Sequence, residues 1–485
     1  MSHSSSHSPR LLAIAAGPLL FIGLRFALPA VSFSPQISTI IGLGAWMLCW
    51  WITEPIPIPV TSLLPLVALP MLGLSTMKEA AQPYGDPVIY LFMGGFILAL
   101  ALEKYRLHER IALALIRRTG TSGDGIILGF TLATALISMW ISNTATAIMM
   151  LPIASSVTNL LANDLGMEKD ERFRKFSTGL MLAIAYAASI GGMATIIGTP
   201  PNVVMVGHVR RTFGREVDFA DWMLVGIPVS ALILTACYLI ITRWLYRSRL
   251  HHIEGSAELI ERKLTELGPM GKAERRVILV FAITCFLWIF RQAINEISGQ
   301  AWLDDTGIAI AGSLLLFLIP SGTDHSSGLL KWSDMKNMQW GILLLFGGGM
   351  ALADGMERSG LVEQIGGAFA SRPITAATLI FALTFVSMAL TELMSNVALV
   401  TVFVPVVFGI ARGAGIDPIY LALPVTFAAS CAFMMPISTP PNAILFASGY
   451  IRMKDMIKTG LVLNLFSLAI IFLLSITLMK AVFGT

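Results

Sequence analysis

Apolar runs recur from one end of the chain to the other, among them Leu11–Ala30, Val225–Thr242, Ile278–Phe290 with its flanks, and Leu461–Met479. A helix needs about 20 apolar residues to cross the hydrocarbon core of a bilayer, so the pattern predicts an all-α polytopic membrane protein. The one substantial hydrophilic stretch, Leu250–Lys272, reads as a cytoplasmic linker (250–272) between two apolar halves. The residues after Arg10 read as a first transmembrane helix within a tail segment 1–36, because Arg25 interrupts the apolar run that a cleaved leader would need. Composition strengthens the reading: 55% of the 485 residues are hydrophobic, 13% are charged, and the mean hydropathy is +0.77.

The net charge of +4 matters less than its distribution, since Lys and Arg mark cytoplasmic loops. Three clusters stand out: Lys104 to Arg118, Lys169 to Lys175, and Arg243 to Arg276. Placing all three inside an inner (cell) membrane gives a cytoplasmic N-terminus, an extracytoplasmic C-terminus and about eleven spans. Arg210, Arg211 and Arg215 then fall outside, against the rule. Cys49, Cys237, Cys285 and Cys431 stand singly in apolar runs and read as small core residues.

The apolar pattern is written twice. Leu91-Phe92-Met93-Gly94-Gly95 and Glu103 return 254 positions later as Leu345-Phe346-Gly347-Gly348-Gly349 and Glu357. Ser142-Asn143-Thr144-Ala145 returns after 253 as Ser395-Asn396-Val397-Ala398, with Pro152 and Pro405 nine residues beyond each asparagine. Gly198-Thr199-Pro200-Pro201-Asn202 returns after 240 as Ser438-Thr439-Pro440-Pro441-Asn442. The expected units are a first repeat over 37–249 and a second over 273–485. With an odd number of spans in each, they insert in opposite orientation, the inverted-topology repeat that secondary transporters use to build one central site.

Each Ser-Asn motif lies inside a nearly charge-free stretch. Ser and Asn favour caps and turns, so these stretches read as re-entrant hairpins over 124–161 and 374–411, with polar tips near the midplane. Two consecutive prolines remove two backbone donors, which predicts broken helices over 176–212 and 419–450. Half-helix N-termini, hydroxyls and amides suit an anion; unwound carbonyls and Ser, Thr and Asn oxygens suit a small hard cation. No Lys or Arg occurs in Gly125–Ala162, Thr178–Val209, Pro373–Ala411 or Ile419–Ile451, so a bound dianion has no side-chain counter-ion there. Bound Na⁺ would supply the charge. Driving a dianion into a negative-inside cell costs about 2.3 kcal/mol per charge per 100 mV, which two sodium ions cancel. Glu392 is the one carboxylate in these stretches, with Met139 as its counterpart, and reads either as a proton or cation participant or as a hydrogen-bonded structural acid.

Other classes fit less well. An intramembrane enzyme needs an acid/base or metal constellation, yet the histidines, among them His3, His108, His208 and His325, lie at span ends or in polar segments. Gly268-Pro269-Met270-Gly271-Lys272 fails the P-loop spacing of an ATP-driven pump. An anion channel would line a continuous pore, whereas these motifs converge on a point. No nucleic-acid partner is expected.

Trp50-Trp51-Ile52-Thr53-Glu54-Pro55-Ile56-Pro57, the paired Ser-Asn motifs and the two Thr-Pro-Pro-Asn breaks resemble the divalent anion/sodium symporter family of INDY-like di- and tricarboxylate transporters, from about Gly42 to Leu478. The resemblance implies homodimers in the lipid bilayer, eleven transmembrane helices and two hairpins per protomer, and a transport domain that moves elevator-fashion. It puts a first sodium site on Ser138, Ser142, Asn143 and Gly198, and a second on Thr391, Ser395, Asn396 and Ser438. It puts substrate carboxylates on Asn143, Thr144, Thr199, Asn396 and Thr439. Many relatives carry Ser-Asn-Thr in both hairpins, but here the second ends in Val397, which has no hydroxyl. The expected activity is Na⁺-coupled import of C4-dicarboxylates, with Na⁺-independent dicarboxylate exchange as the alternative within the same fold.

Overall fold

The computed structural model describes residues 7–31, 33–164, 166–322, 328–370 and 374–483. His3, Pro373 and His325 lie outside the described residues. Eight helices among them are long and apolar enough to cross a membrane: Arg10–Ala30, Pro35–Thr53, Met77–Lys104, Asn143–Ala162, Phe219–Leu245, Lys272–Ser298, Asn396–Ala414 and Met453–Phe483. Five shorter apolar helices, Ile58–Met71, Gly123–Ser138, Asp305–Leu318, Ala376–Thr391 and Pro418–Ala429, complete the apolar set. Large side chains such as Leu12, Phe26, Leu279, Phe385 and Leu465 point outward, as lipid-facing surface does when the solvent is hydrocarbon. The hydrophilic linker contains a helix of its own, Ser256–Glu266, which buries Leu259 and Ile260.

The two Ser-Asn segments fold into helical hairpins. Ser122 starts the first by accepting Gly125 N–H at 3.0 Å, and Thr375 starts the second by accepting Thr378 N–H at 3.2 Å. Four residues separate the first arms, Gly123–Ser138 and Ala376–Thr391, from the second arms, Asn143–Asn159 and Asn396–Ala414. An aspartate then caps the next helix in each case, Asp170 before Glu171–Gly192 and Asp417 before Pro418–Ala429. Both of these helices break. The chain resumes helical form at Pro200–Phe213 and Pro440–Phe446, with each proline at the first position, where its missing N–H costs nothing.

The pieces interlock. Both arms of the first hairpin pack on Glu171–Gly192, and the short helix Pro440–Phe446 packs against Asn143–Asn159. Reciprocally, both arms of the second hairpin pack on Pro418–Ala429, and Pro200–Phe213 packs against Asn396–Ala414. Each hairpin is therefore closed by the far half of the other broken helix.

Ion pairs fix the surrounding helices. Lys104, at the end of Pro87–Lys104, pairs at 2.8 Å with Asp334, just before Trp340–Arg358. At the other end, Arg211 joins Asp86, the cap of Pro87–Lys104, to Asp354 near the end of Trp340–Arg358. The two motif-matched helices therefore run antiparallel. Arg211 and Arg215, which the expected orientation sets against the charge rule, are both neutralised: Arg211 by these two aspartates and Arg215 by Asp417.

Candidate functional site

The first hairpin tip meets the first helix break in a cluster of oxygens. Ser138 is fully buried; its Oγ lies 2.7 Å from Asn143 Oδ1 and 2.6 Å from the carbonyl oxygen of Ala188. Thr195 Oγ1 donates to Met139 O at 2.6 Å, tying the turn of the hairpin to the gap. Two glycines let the backbone close in. A Cβ at Gly192 would sit 2.5 Å from Asn143 Oδ1 and 3.1 Å from Gly198 O; one at Gly198 would sit 2.5 Å from Gly192 O and 3.0 Å from Met139 O. The gap is laced by Asn202, whose Nδ2 donates to Gly192 O at 3.1 Å and Thr195 O at 2.8 Å, while its buried Oδ1 has no partner.

The second tip and break repeat this arrangement. Thr391 Oγ1 lies 2.8 Å from Asn396 Oδ1 and 2.5 Å from Ala429 O. Asn442 Nδ2 donates to Ala432 O at 2.9 Å and Met435 O at 3.0 Å, and its buried Oδ1 is again unpartnered. Ser438 Oγ lies 2.9 Å from Glu392 O and 3.1 Å from Glu392 Oε2. Hard neutral oxygens from carbonyls, hydroxyls and carboxamides are the ligand set an alkali cation takes. Among the described residues, no group of three His, Cys, Asp or Glu exists that would instead favour a transition metal.

Burial divides the expected site residues into two layers. Ser138, Thr391, Gly198, Thr199, Ser438 and Thr439 are buried, whereas Ser142, Asn143, Thr144, Ser395, Asn396 and Val397 are half-buried at the start of the second hairpin arms. The structure joins Asn143 Nδ2 to Thr199 Oγ1 at 3.5 Å, so the first tip and its break share one surface. Thr439 Oγ1 accepts Asn442 N–H at 3.4 Å, and Ser142 Oγ accepts Ala145 N–H at 3.3 Å. Ser395 begins its helix without a side-chain cap bond. The second hairpin arms start in this half-buried layer, and the first-turn N–H groups that they leave without an intrahelical partner favour negative charge.

Three contributors were not singled out from the sequence. Asn202 and Asn442 were visible as the last letters of a repeated motif, and the repetition was the only signal that they hold the gaps. Gln339, whose Nε2 donates to Ser142 Oγ at 2.9 Å, comes from 197 residues away and left no local trace.

A family profile described as the transmembrane region of sodium:sulfate symporters matches residues 11–484. The chain is 38% identical over 480 residues to the sodium-dependent dicarboxylate transporter of Staphylococcus saprophyticus subsp. saprophyticus, covering 98% of this chain and 92% of that protein. It is 39% identical over 485 residues to the sodium-dependent dicarboxylate transporter of Staphylococcus aureus strain MRSA252, with the same coverage. Among solved structures, the fold resembles the YdaH transporter of Alcanivorax borkumensis (TM-score 0.58, 13% identity, 93% of this chain and 99% of that one). It also resembles MtrF of Neisseria gonorrhoeae (TM-score 0.58, 12% identity, 91% and 94%).

Proposed function

Because the chain belongs to the sodium:sulfate symporter family of membrane transporters, we propose that it couples Na⁺ entry to uptake of a C4-dicarboxylate such as succinate, malate or fumarate. The observation that carries this reading is the pair of matched oxygen cages, Ser138–Asn143–Ala188 O and Thr391–Asn396–Ala429 O, set in a region without a Lys or Arg. Cations held there supply the positive charge that a dianion on the half-buried layer needs, so each ligand raises the other's affinity. Ser138, Ser142, Asn143 and Gly198 hold the first Na⁺, and Thr391, Ser395, Asn396 and Ser438 the second. Asn143, Thr144, Thr199, Asn396 and Thr439 meet the carboxylates. The names of the staphylococcal relatives favour a dicarboxylate as the anion and sodium as the coupling ion.

The proposal extends to organisation: a first repeat (37–249) and a second (273–485), inverted relative to each other, moving elevator-fashion in a homodimer, with the N-terminus cytoplasmic and the C-terminus outside. The antiparallel run of Pro87–Lys104 and Trp340–Arg358 supports the inversion. Thiol labelling of the matched single variants Lys104→Cys and Arg358→Cys tests it; labelling of both from the same side would sink it, and a monomeric mass in lipid nanodiscs would sink the dimer.

The functional test is uptake of radiolabelled succinate into proteoliposomes under an inward Na⁺ gradient, then with K⁺ or choline in place of Na⁺, with and without internal succinate. Concentrative uptake into empty vesicles only with Na⁺ is expected. Uptake that ignores Na⁺ but requires internal succinate would mean exchange.

A further inference from the structure

The two helix breaks, so alike in motif, are built differently. In the first, the N–H groups of Met193 and Ala194 turn back onto Ile190 O at 3.2 Å and Gly191 O at 3.0 Å, and the helix runs to Gly192. At the matching positions of the second, Phe433 N–H and Met434 N–H donate to Glu392 Oε1 at 2.9 and 3.1 Å, and Met434 N–H also reaches Oε2 at 3.1 Å. That helix stops at Ala429. Two further groups converge on the same carboxylate: Asn464 Nδ2, from Met453–Leu474, donates to Oε1 at 2.8 Å, and Ser438 Oγ to Oε2 at 3.1 Å. Glu392 is only 3% exposed, and the first copy has Met139 in its place.

The physical consequence follows from what those donors would otherwise do. In an uninterrupted helix, the N–H groups of residues 433 and 434 would bond to the carbonyls of 429 and 430. Glu392 takes them instead, so the helix ends three positions earlier than its counterpart, and Ala429 O is left to Thr391 Oγ1 and to whatever enters the cage. The Ser438 hydroxyl proton is committed to Glu392, through either its carbonyl or its carboxylate, which leaves the serine lone pairs for a cation. Three of the four donating groups are N–H groups, which only donate, so the carboxyl oxygens are the acceptors of these bonds.

We propose that Glu392 is a positioning residue for the second cation site: it holds open the longer gap, orients Ser438, and so sets the Na⁺ affinity of that site. The inference rests on the symport reading above. Partners that orient metal ligands from behind typically contribute about 10- to 100-fold to metal affinity, and the first site has no equivalent.

The test is succinate uptake in proteoliposomes as a function of Na⁺ for wild type, Glu392→Gln, Glu392→Asp and Asn464→Ala. Wild-type uptake must first depend on Na⁺; if it does not, the symport reading fails and this inference with it. Given that dependence, Glu392→Gln is expected to raise the Na⁺ concentration for half-maximal uptake at least about tenfold, while the succinate KM at saturating Na⁺ stays within about twofold. Glu392→Asp should recover part of the sodium affinity. Unchanged half-saturation, or parallel loss of sodium affinity, succinate affinity and maximal rate, would overturn the proposal with the symport reading intact. If Glu392→Gln is not recovered folded, Asn464→Ala decides, because it removes one donor and leaves every ligand in place: about a threefold rise in half-saturation supports the role, and no rise overturns it.

Discussion

The first and second hairpin tips share a motif, a turn of the same length and a matching hydrogen-bonded oxygen cage, yet they are closed by different means. The first closes by smallness: Gly192 and Gly198 bring backbone oxygens against Asn143 with no room for a Cβ. The second has Ala432 and Ser438 at those positions and closes by an added acid, Glu392, which takes over backbone donors and lengthens the gap. The half-buried layer differs as well, with Thr144 on one side and Val397 on the other. A duplicated site has kept its oxygen geometry while its two halves diverged in sterics and in charge. On the proposed reading, the two cages hold sodium by unlike means.

Swapping features between the halves breaks or sharpens this comparison. The largest effect is expected from Gly192→Ala, whose Cβ would lie 2.5 Å from Asn143 Oδ1. Overpacking of about 1–3 kcal/mol predicts a loss of Na⁺-dependent uptake of at least about tenfold, whereas the reverse change, Ala432→Gly, should stay within about threefold. Equal damage from both would show that the first site has no special steric closure. Next come Asn143→Ala and Asn396→Ala, each of which strips the carboxamide from one cage. Each is expected to raise the half-saturating Na⁺ concentration by about tenfold, as losing a buried hydrogen-bonded partner does, and a Na⁺ titration of uptake reads it. Substituting the half-buried layer is milder. Thr144→Val, which makes the first tip like the second, should raise the succinate KM about three- to tenfold, and Val397→Thr should lower it or reorder the preference among succinate, malate and fumarate. The smallest effect belongs to Gln339→Ala, which removes one half-buried hydrogen bond to Ser142 and should change uptake by about twofold.

Much of this arrangement was legible in the sequence because it is local. Serine followed by asparagine inside an apolar run signals a capped restart, and the helices do restart at Asn143 and Asn396. Two prolines forbid a continuous helix, and both breaks end at Pro200 and Pro440. What stayed hidden depends on contacts between distant residues. The sequence left Glu392 open between a chemical and a structural part; only the positions of Phe433, Met434 and Asn464 reveal how it is bonded. Arg211 looked like a violation of the charge rule until Asp86 and Asp354, 125 and 143 positions away, were found around it.

The central claim is that sodium and dianion share one centre without a Lys or Arg and bind through each other. Equilibrium binding of labelled succinate to the purified protein, with Na⁺ and then with choline, tests it most directly when paired with ²²Na⁺ binding in the presence and absence of succinate. The account predicts succinate binding only with Na⁺, and a tightening of Na⁺ by succinate that equals the tightening of succinate by Na⁺. Succinate binding of equal strength in choline would contradict it.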